Sequence, residues 1–235
     1  LEYTATKRRE EDFTKRESIS KQQLALTTLR LHGCRDIDWI TTHREPETYK
    51  SDIEYSESLG DFPLVDTYTV TPDDATQINR LYNLLSDNYD KNEREFQHPI
   101  RVAIDHFETS ISTHTNYSSS ITFAIIGLES LFKHHTDGEG GSKFIHRYIA
   151  FILAEVVPHL DVSSVKNDIE EAYGTRNTTV HGESVEKEET ELQERVWDFL
   201  RYSIVIFSWL KKECGDNFQP KIDQALIDNE VRTAL

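Results

Sequence analysis

The sequence predicts a mainly α protein: a helical bundle preceded by a less regular N-terminal region. Three observations predict it. From residue 71 onward, apolar residues recur at spacings of three and four, the period of a helix with one buried face. Helix-start and helix-stop residues stand at the edges of those runs. Residues 34–70 lack the period; they mix β-branched and aromatic residues with Gly60 and Pro63, which fits a few short strands or an irregular stretch. The expected organisation is an N-terminal extension or subdomain over 1–70 and a helical bundle over 71–235.

Element by element, residues 1–20 mix basic and acidic side chains and suit an exposed helix or tail. Leu24, Leu26, Leu29 and Leu31 with Gly33 as a cap read as a helix over 21–32, although a strand fits the same leucines almost as well. Thr71-Pro72-Asp73-Asp74 is a helix start: a hydroxyl N-cap, proline at the first helical position and acids at the positive end of the dipole. Ala75, Ile78, Leu81 and Leu85 follow at helical spacing. A second bundle helix begins near Pro99, with Phe96, Ile100, Ala103, Phe107 and Ile111 on one face. The third, from about Ser118 to Lys133, is apolar on most sides and reads as the central helix.

Residues 134–142 form a polar, glycine-rich loop. Lys143 to Val157 is helical, with Phe144, Tyr148, Phe151, Ile152 and Val156 as its stripe and Pro158 as its stop. Asp161 to Tyr173 is a shorter helix that Gly174 caps, and Arg176 to His181 is a further helical turn capped by Thr175. The last long helix runs from about Glu188 to Glu213 with Leu192, Val196, Phe199, Ser203, Phe207 and Leu210 in a stripe. A short helix over 222–231 closes the chain.

Charge excludes some partners. Lys and Arg total 26 against 42 Asp and Glu, a formal net charge of −16. That argues against a broad basic nucleic-acid surface and against polybasic attraction to a membrane. The longest apolar stretches, 149–157 and 202–210, fall far short of the roughly 20 residues a membrane span needs. Cys34 and Cys214 are too few for a disulfide scaffold and read as reduced thiols of the cytoplasm. The chain has no Met and starts at Leu1, which reads as a piece of a longer protein whose further domain or partner is not in this chain.

Ten histidines invite a metal reading, but none has a zinc spacing: His134 and His135 are adjacent, and His32 and Cys34 flank one glycine. No metal and no cofactor is expected. The run Gly138-Glu139-Gly140-Gly141 lacks the Lys and Ser/Thr of a phosphate loop and follows a helix. No GxSxG marks a serine nucleophile.

Residues 172–182 (AYGTRNTTVHG) are the chemical candidate. In the predicted turn after Thr175, Arg176 and Asn177 sit where free backbone N–H groups and the helix dipole favour a phosphate. Arg176 offers a planar bidentate donor. His181, four residues beyond Asn177 and on its face, can take and give a proton. RNA brings its own nucleophile, the 2′-hydroxyl, so Arg and His suffice for cleavage without a metal. Spacing alone carries no weight, because Arg101 and His106 repeat it. Context separates them: Arg176 is followed by a polar Asn and leads to His-Gly.

In that context, Arg176-Asn177 with Val180-His181-Gly182 resembles the signature of HEPN domains. Tyr173 before the Arg, and the upstream block Ile126-Gly127-Leu128-Glu129-Ser130-Leu131-Phe132, are similar to the Apea-like branch. The resemblance covers about residues 72–212. It implies an all-α homodimer in which the Arg and His of both chains face one another. It also implies a metal-independent endoribonuclease of anti-phage defence or a toxin system, or a silent descendant that binds a partner. Carried onto this chain, Arg176 would bind the scissile phosphate, His181 would act as general acid or base, Asn177 would orient the phosphate or His181, and Glu129 and Tyr173 would support the site.

The plainer reading of the same residues is that Arg176 pairs with a carboxylate and His181 caps a helix end, in a dimerisation or partner-binding module. The acids Glu183, Glu186, Glu188, Glu189, Glu191 and Glu194 just after His181 weigh toward it, since they repel RNA if they line the cleft.

Overall fold

The computed structural model describes residues 21, 23–33, 71–89, 99–112, 115–132, 141–182 and 190–215. The possible strands of 34–70 and the helix expected over 222–231 lie outside them. Within them the protein is a bundle of helices. α1 spans residues 23–32, α2 Pro72–Tyr89, α3 Pro99–Ser110, α4 Tyr117–Phe132, α5 Gly141–Val156, α6 Val162–Val180 and α7 Thr190–Cys214.

α1 settles the ambiguity at 21–32. Leu24, Thr27, Thr28 and Leu31 are all buried, the period of a helix and not of a strand. Gly33, at φ +124, ends it in the left-handed half of backbone space that favours glycine. Residues 23–33 share the bundle core: Leu24 and Leu31 pack in it, and Arg201 on α7 donates to the Leu31 carbonyl at 3.3 Å. Gln23 and Thr27 both donate to Glu108 on α3, Gln23 at 2.8 Å.

α2 starts as its residues dictate. Asp74 N–H donates to Thr71 Oγ1 at 3.2 Å, and Thr71 N–H donates to Asp74 Oδ2 at 2.9 Å, a reciprocal cap that satisfies two orphan donors.

α4 is the central helix. It touches α3, α5, α6 and α7. Ser120, Ile121, Ala124, Ile125, Gly127, Leu128, Leu131 and Phe132 are all buried along it. Gly127 permits its close approach to α7: a Cβ there would meet Leu200 Cδ2 at 2.8 Å and His106 Cβ at 3.3 Å. Ser120 ties three helices, donating to the Ser110 carbonyl at 2.7 Å and accepting from Trp197 Nε1 at 3.0 Å. On α7 the predicted stripe, from Leu192 through Val196, Phe199, Ser203 and Phe207 to Leu210, is buried throughout.

Two expectations change. On α5, Val156 is 53% exposed; the buried side is Ile145, His146, Tyr148, Ile149, Ile152 and Leu153. The larger correction is α6. Gly174 does not cap a helix, and Thr175 does not start one. A single helix runs from N-cap Asp161, which accepts from Ser164 N–H at 2.9 Å, to C-cap His181. One interior glycine costs about 1 kcal/mol. Burial of Ala172 and Tyr173 on one side outweighs it. The following threonines also bond back, Thr178 to the Gly174 carbonyl at 3.1 Å and Thr179 to the Thr175 carbonyl at 2.8 Å.

This continuity is testable. Nothing lies within 4 Å of a Cβ added at Gly174, and its φ is not positive. Gly174→Ala is therefore expected to stabilise by about 1 kcal/mol. For a chain of this length that raises Tm by roughly 2–4 °C, read by thermal denaturation. A lowered Tm would mean that the chain breaks at Gly174 after all.

Candidate functional site

The predicted site residues lie on two helices. Glu129 comes from α4; Tyr173, Arg176 and Asn177 come from the last turns of α6, and His181 caps it. The structure joins four of the five. Tyr173 OH donates to Glu129 Oε1 at 3.0 Å. Arg176 Nη2 stands 3.6 Å from Glu129 Oε2. Arg176 Nη1 donates to Asn177 Oδ1 at 3.3 Å. Glu129 thus serves two residues with its two oxygens, and at 14% exposure it is no free surface carboxylate.

His181 stands apart from that set. Its backbone N–H donates to the Asn177 carbonyl at 3.0 Å, Gly182 N–H donates to the Thr179 carbonyl at 3.0 Å, and the side chain of His181 is exposed. Gly182, at φ +77, turns the chain away immediately afterwards. Both plain roles are therefore real: Arg176 pairs with a carboxylate and His181 caps a helix. Neither consumes the imidazole, because the cap is made by the backbone.

Helix continuity overturns one electrostatic expectation. Arg176 and Asn177 lie in the last turns of α6, not in a first turn with free N–H groups. The dipole there is negative, which favours the guanidinium itself and does nothing for a phosphate. Any anion bound here relies on side chains.

Proton equilibria sort the remaining groups. Burial, the Glu129 charge and the hydrogen bond to Glu129 push the Tyr173 phenol well above its ordinary value. Tyr173 is thus a fixed hydrogen-bond donor and not a base. His146 carries no motif in the sequence. It is buried, and its ring lies 4.1 Å from that of Tyr173. The phase of α5 betrays it: Ile149 and Leu153, three and seven residues on, put position 146 on the core face.

The acidic run after His181 is described only in part: 183–189 lie outside the described residues, and Glu191 is 94% exposed. Arg195 pairs with Asp168 at 2.9 Å, which leaves α6 and α7 bridged below the site. Among the described residues no three His, Cys, Asp or Glu side chains gather as metal ligands do. Cys214 is a free thiol, and Cys34 lies outside the described residues. No helix among the described residues is long and apolar enough to cross a membrane. A separate open groove of about 690 Å³ has Leu81, Val156, Ile206 and Trp209 on its walls and contains none of the predicted site residues. Compared with known protein families, curated proteins and solved structures, the chain matches none.

Proposed function

We propose that the protein is an endoribonuclease of the HEPN type, acting as a homodimer and without a metal, in a cytoplasmic defence or growth-arrest system. One observation carries the reading. Arg176, Asn177 and His181 all lie at the closing end of α6, with the guanidinium anchored on Glu129 and the imidazole left exposed.

The chemistry divides as follows. Arg176 holds the scissile phosphate and offsets the charge that grows on its oxygens. The substrate's 2′-oxygen forms a bond to phosphorus as the bond from phosphorus to the 5′-oxygen breaks, leaving a 2′,3′-cyclic phosphate. His181 accepts the 2′-hydroxyl proton or supplies the one that the leaving 5′-oxygen takes. A second copy across a two-fold axis brings the complementary histidine. Val180, 63% exposed beside His181, gives that end of the helix an apolar face for the contact. Glu129 and Tyr173 do no chemistry; they fix where Arg176 points.

The alternative is a silent module that dimerises or binds a partner. It is favoured by the Arg176–Glu129 pair, since a guanidinium already neutralised is a poorer phosphate ligand. RNA cleavage measured in EDTA decides. The wild type is expected to cut, and Arg176→Ala to cut about 10²-fold more slowly, the loss typical of one charge-stabilising donor. Equal rates in the two proteins would remove the site assignment. A wild type that cuts no RNA would favour the module.

A further inference from the structure

α5 carries a histidine that the proposed reaction does not use. His146 is 7% exposed, and neither ring nitrogen has a hydrogen-bond partner. A buried polar group left so is costly and calls for a reason. Charged groups face it from two of the neighbouring helices, α6 and α4. On α6, Glu170 Oε1 stands 3.9 Å from Nδ1 and is itself held by Lys166 Nζ at 3.0 Å. On α4, the Glu129 charge acts on the ring. Its own helix adds Arg147, an exposed neighbour that acts on Glu170. The ring also packs on Tyr173, tilted by 46°.

We propose that His146 is a positioning residue for Arg176: its neutral ring walls Tyr173 against Glu129, and its protonation draws the carboxylates toward the imidazolium and loosens the guanidinium. Three contacts link the two ends. His146 packs on Tyr173, Tyr173 donates to Glu129, and Glu129 holds Arg176. Glu129 has one oxygen on each partner, so a carboxylate that turns toward a new cation forsakes one of them. Arg176 has little to fall back on, because its Nε is buried without an acceptor. An imidazolium would also repel the guanidinium that shares Glu129 with it.

The direction with pH follows. Burial, opposed by Glu170, holds the imidazole below its ordinary value, so the ring is neutral at neutral pH. The folded state then binds this proton less readily than the unfolded chain. The associated stability is complete above the unfolded value of about 6.5 and is lost as pH falls toward the folded one. The set Tyr173–Glu129–Arg176 is therefore closed at neutral pH and opens in acid, on a group other than His181.

The functional meaning of this relay rests on the ribonuclease reading, but its test does not. In the full chain, isotope-labelled for NMR, the His146 ring signals and the Arg176 Nε–H signal are followed from about pH 8 to about pH 5. Arg176 is expected to move with the same midpoint as His146 in the wild type, and to lose the component with that midpoint in His146→Phe and His146→Gln. An Arg176 signal that ignores the His146 titration, or that moves equally in the variants, overturns the proposal. If neither variant folds, the two midpoints within the wild type decide. A chain that passes and cuts no RNA keeps the relay and loses the ribonuclease; one that cuts RNA and fails loses the relay alone.

Discussion

His181→Ala is expected to slow RNA cleavage by about 10²–10⁴-fold, the range for losing a positioned general acid or base. In barrier height that is roughly 3–5 kcal/mol. The measurement is single-turnover cleavage in EDTA, with Tm taken on the same samples. Stability should stay within about 0.5 kcal/mol of wild type, because the side chain is exposed and the cap on α6 is made by the backbone N–H. This separation gives the experiment its force. Arg176→Ala leaves Glu129 with one partner fewer and so mixes a structural loss with a catalytic one. His181→Ala touches only the proton. A variant as active as wild type removes His181 from the reaction. A variant that is inactive and also unfolded contradicts the exposed position of the ring.

The correction at Gly174 sharpens that prediction. Had Arg176 opened a helix, backbone N–H groups and the dipole would have shared the phosphate with it. At the closing end of α6 they cannot, so in the proposed reaction phosphate binding would lean on the guanidinium and its neighbours. The Glu129 pair then has two faces. It neutralises part of the charge that a phosphate needs, and it spends in advance the rotamer freedom that a loose arginine would lose on binding. Bidentate geometry also matters. Lysine at 176 would keep the charge while losing the fork that reaches Glu129, Asn177 and a phosphate together.

What was legible in the sequence follows the range of each signal. Helix existence is a short-range property, and the spacings of Ile100, Ala103, Phe107 and of Leu192, Val196, Phe199 report it directly. Thr71-Pro72 likewise writes its cap into adjacent residues. Gly174 misleads because its preference is local and worth about 1 kcal/mol, less than the tertiary burial of Ala172 and Tyr173 beside it. The contact of Tyr173 with Glu129 joins residues 44 apart in the chain, a separation no spacing rule reaches. His146 is illegible for another reason: its neighbours in sequence show that it faces inward, but not that it meets Tyr173 there.

Burial along α7 supplies the largest expected effect on stability. Phe207→Ala should cost about 3–5 kcal/mol, the range for deleting a core aromatic. Phe207 is 1% exposed and meets Phe132 of α4 edge to face at 4.8 Å; Phe132 in turn meets Tyr148 of α5 at 5.6 Å. Removing one ring therefore opens a void where three helices converge and breaks an aromatic pair worth about 0.5–1.5 kcal/mol beyond its area. For a chain of this length the loss lowers Tm by roughly 6–20 °C. Trp209→Ala is the control. It deletes a larger ring two residues along the same helix, but from a side chain that is 44% exposed. Its cost should be well below that of Phe207→Ala, since much of its surface meets water in either state. Comparable losses from the two variants would mean that α7 is rotated about its axis. The buried stripe from Leu192 to Leu210, and with it the seating of α4 that aims Glu129 at Arg176, would then be wrong as well.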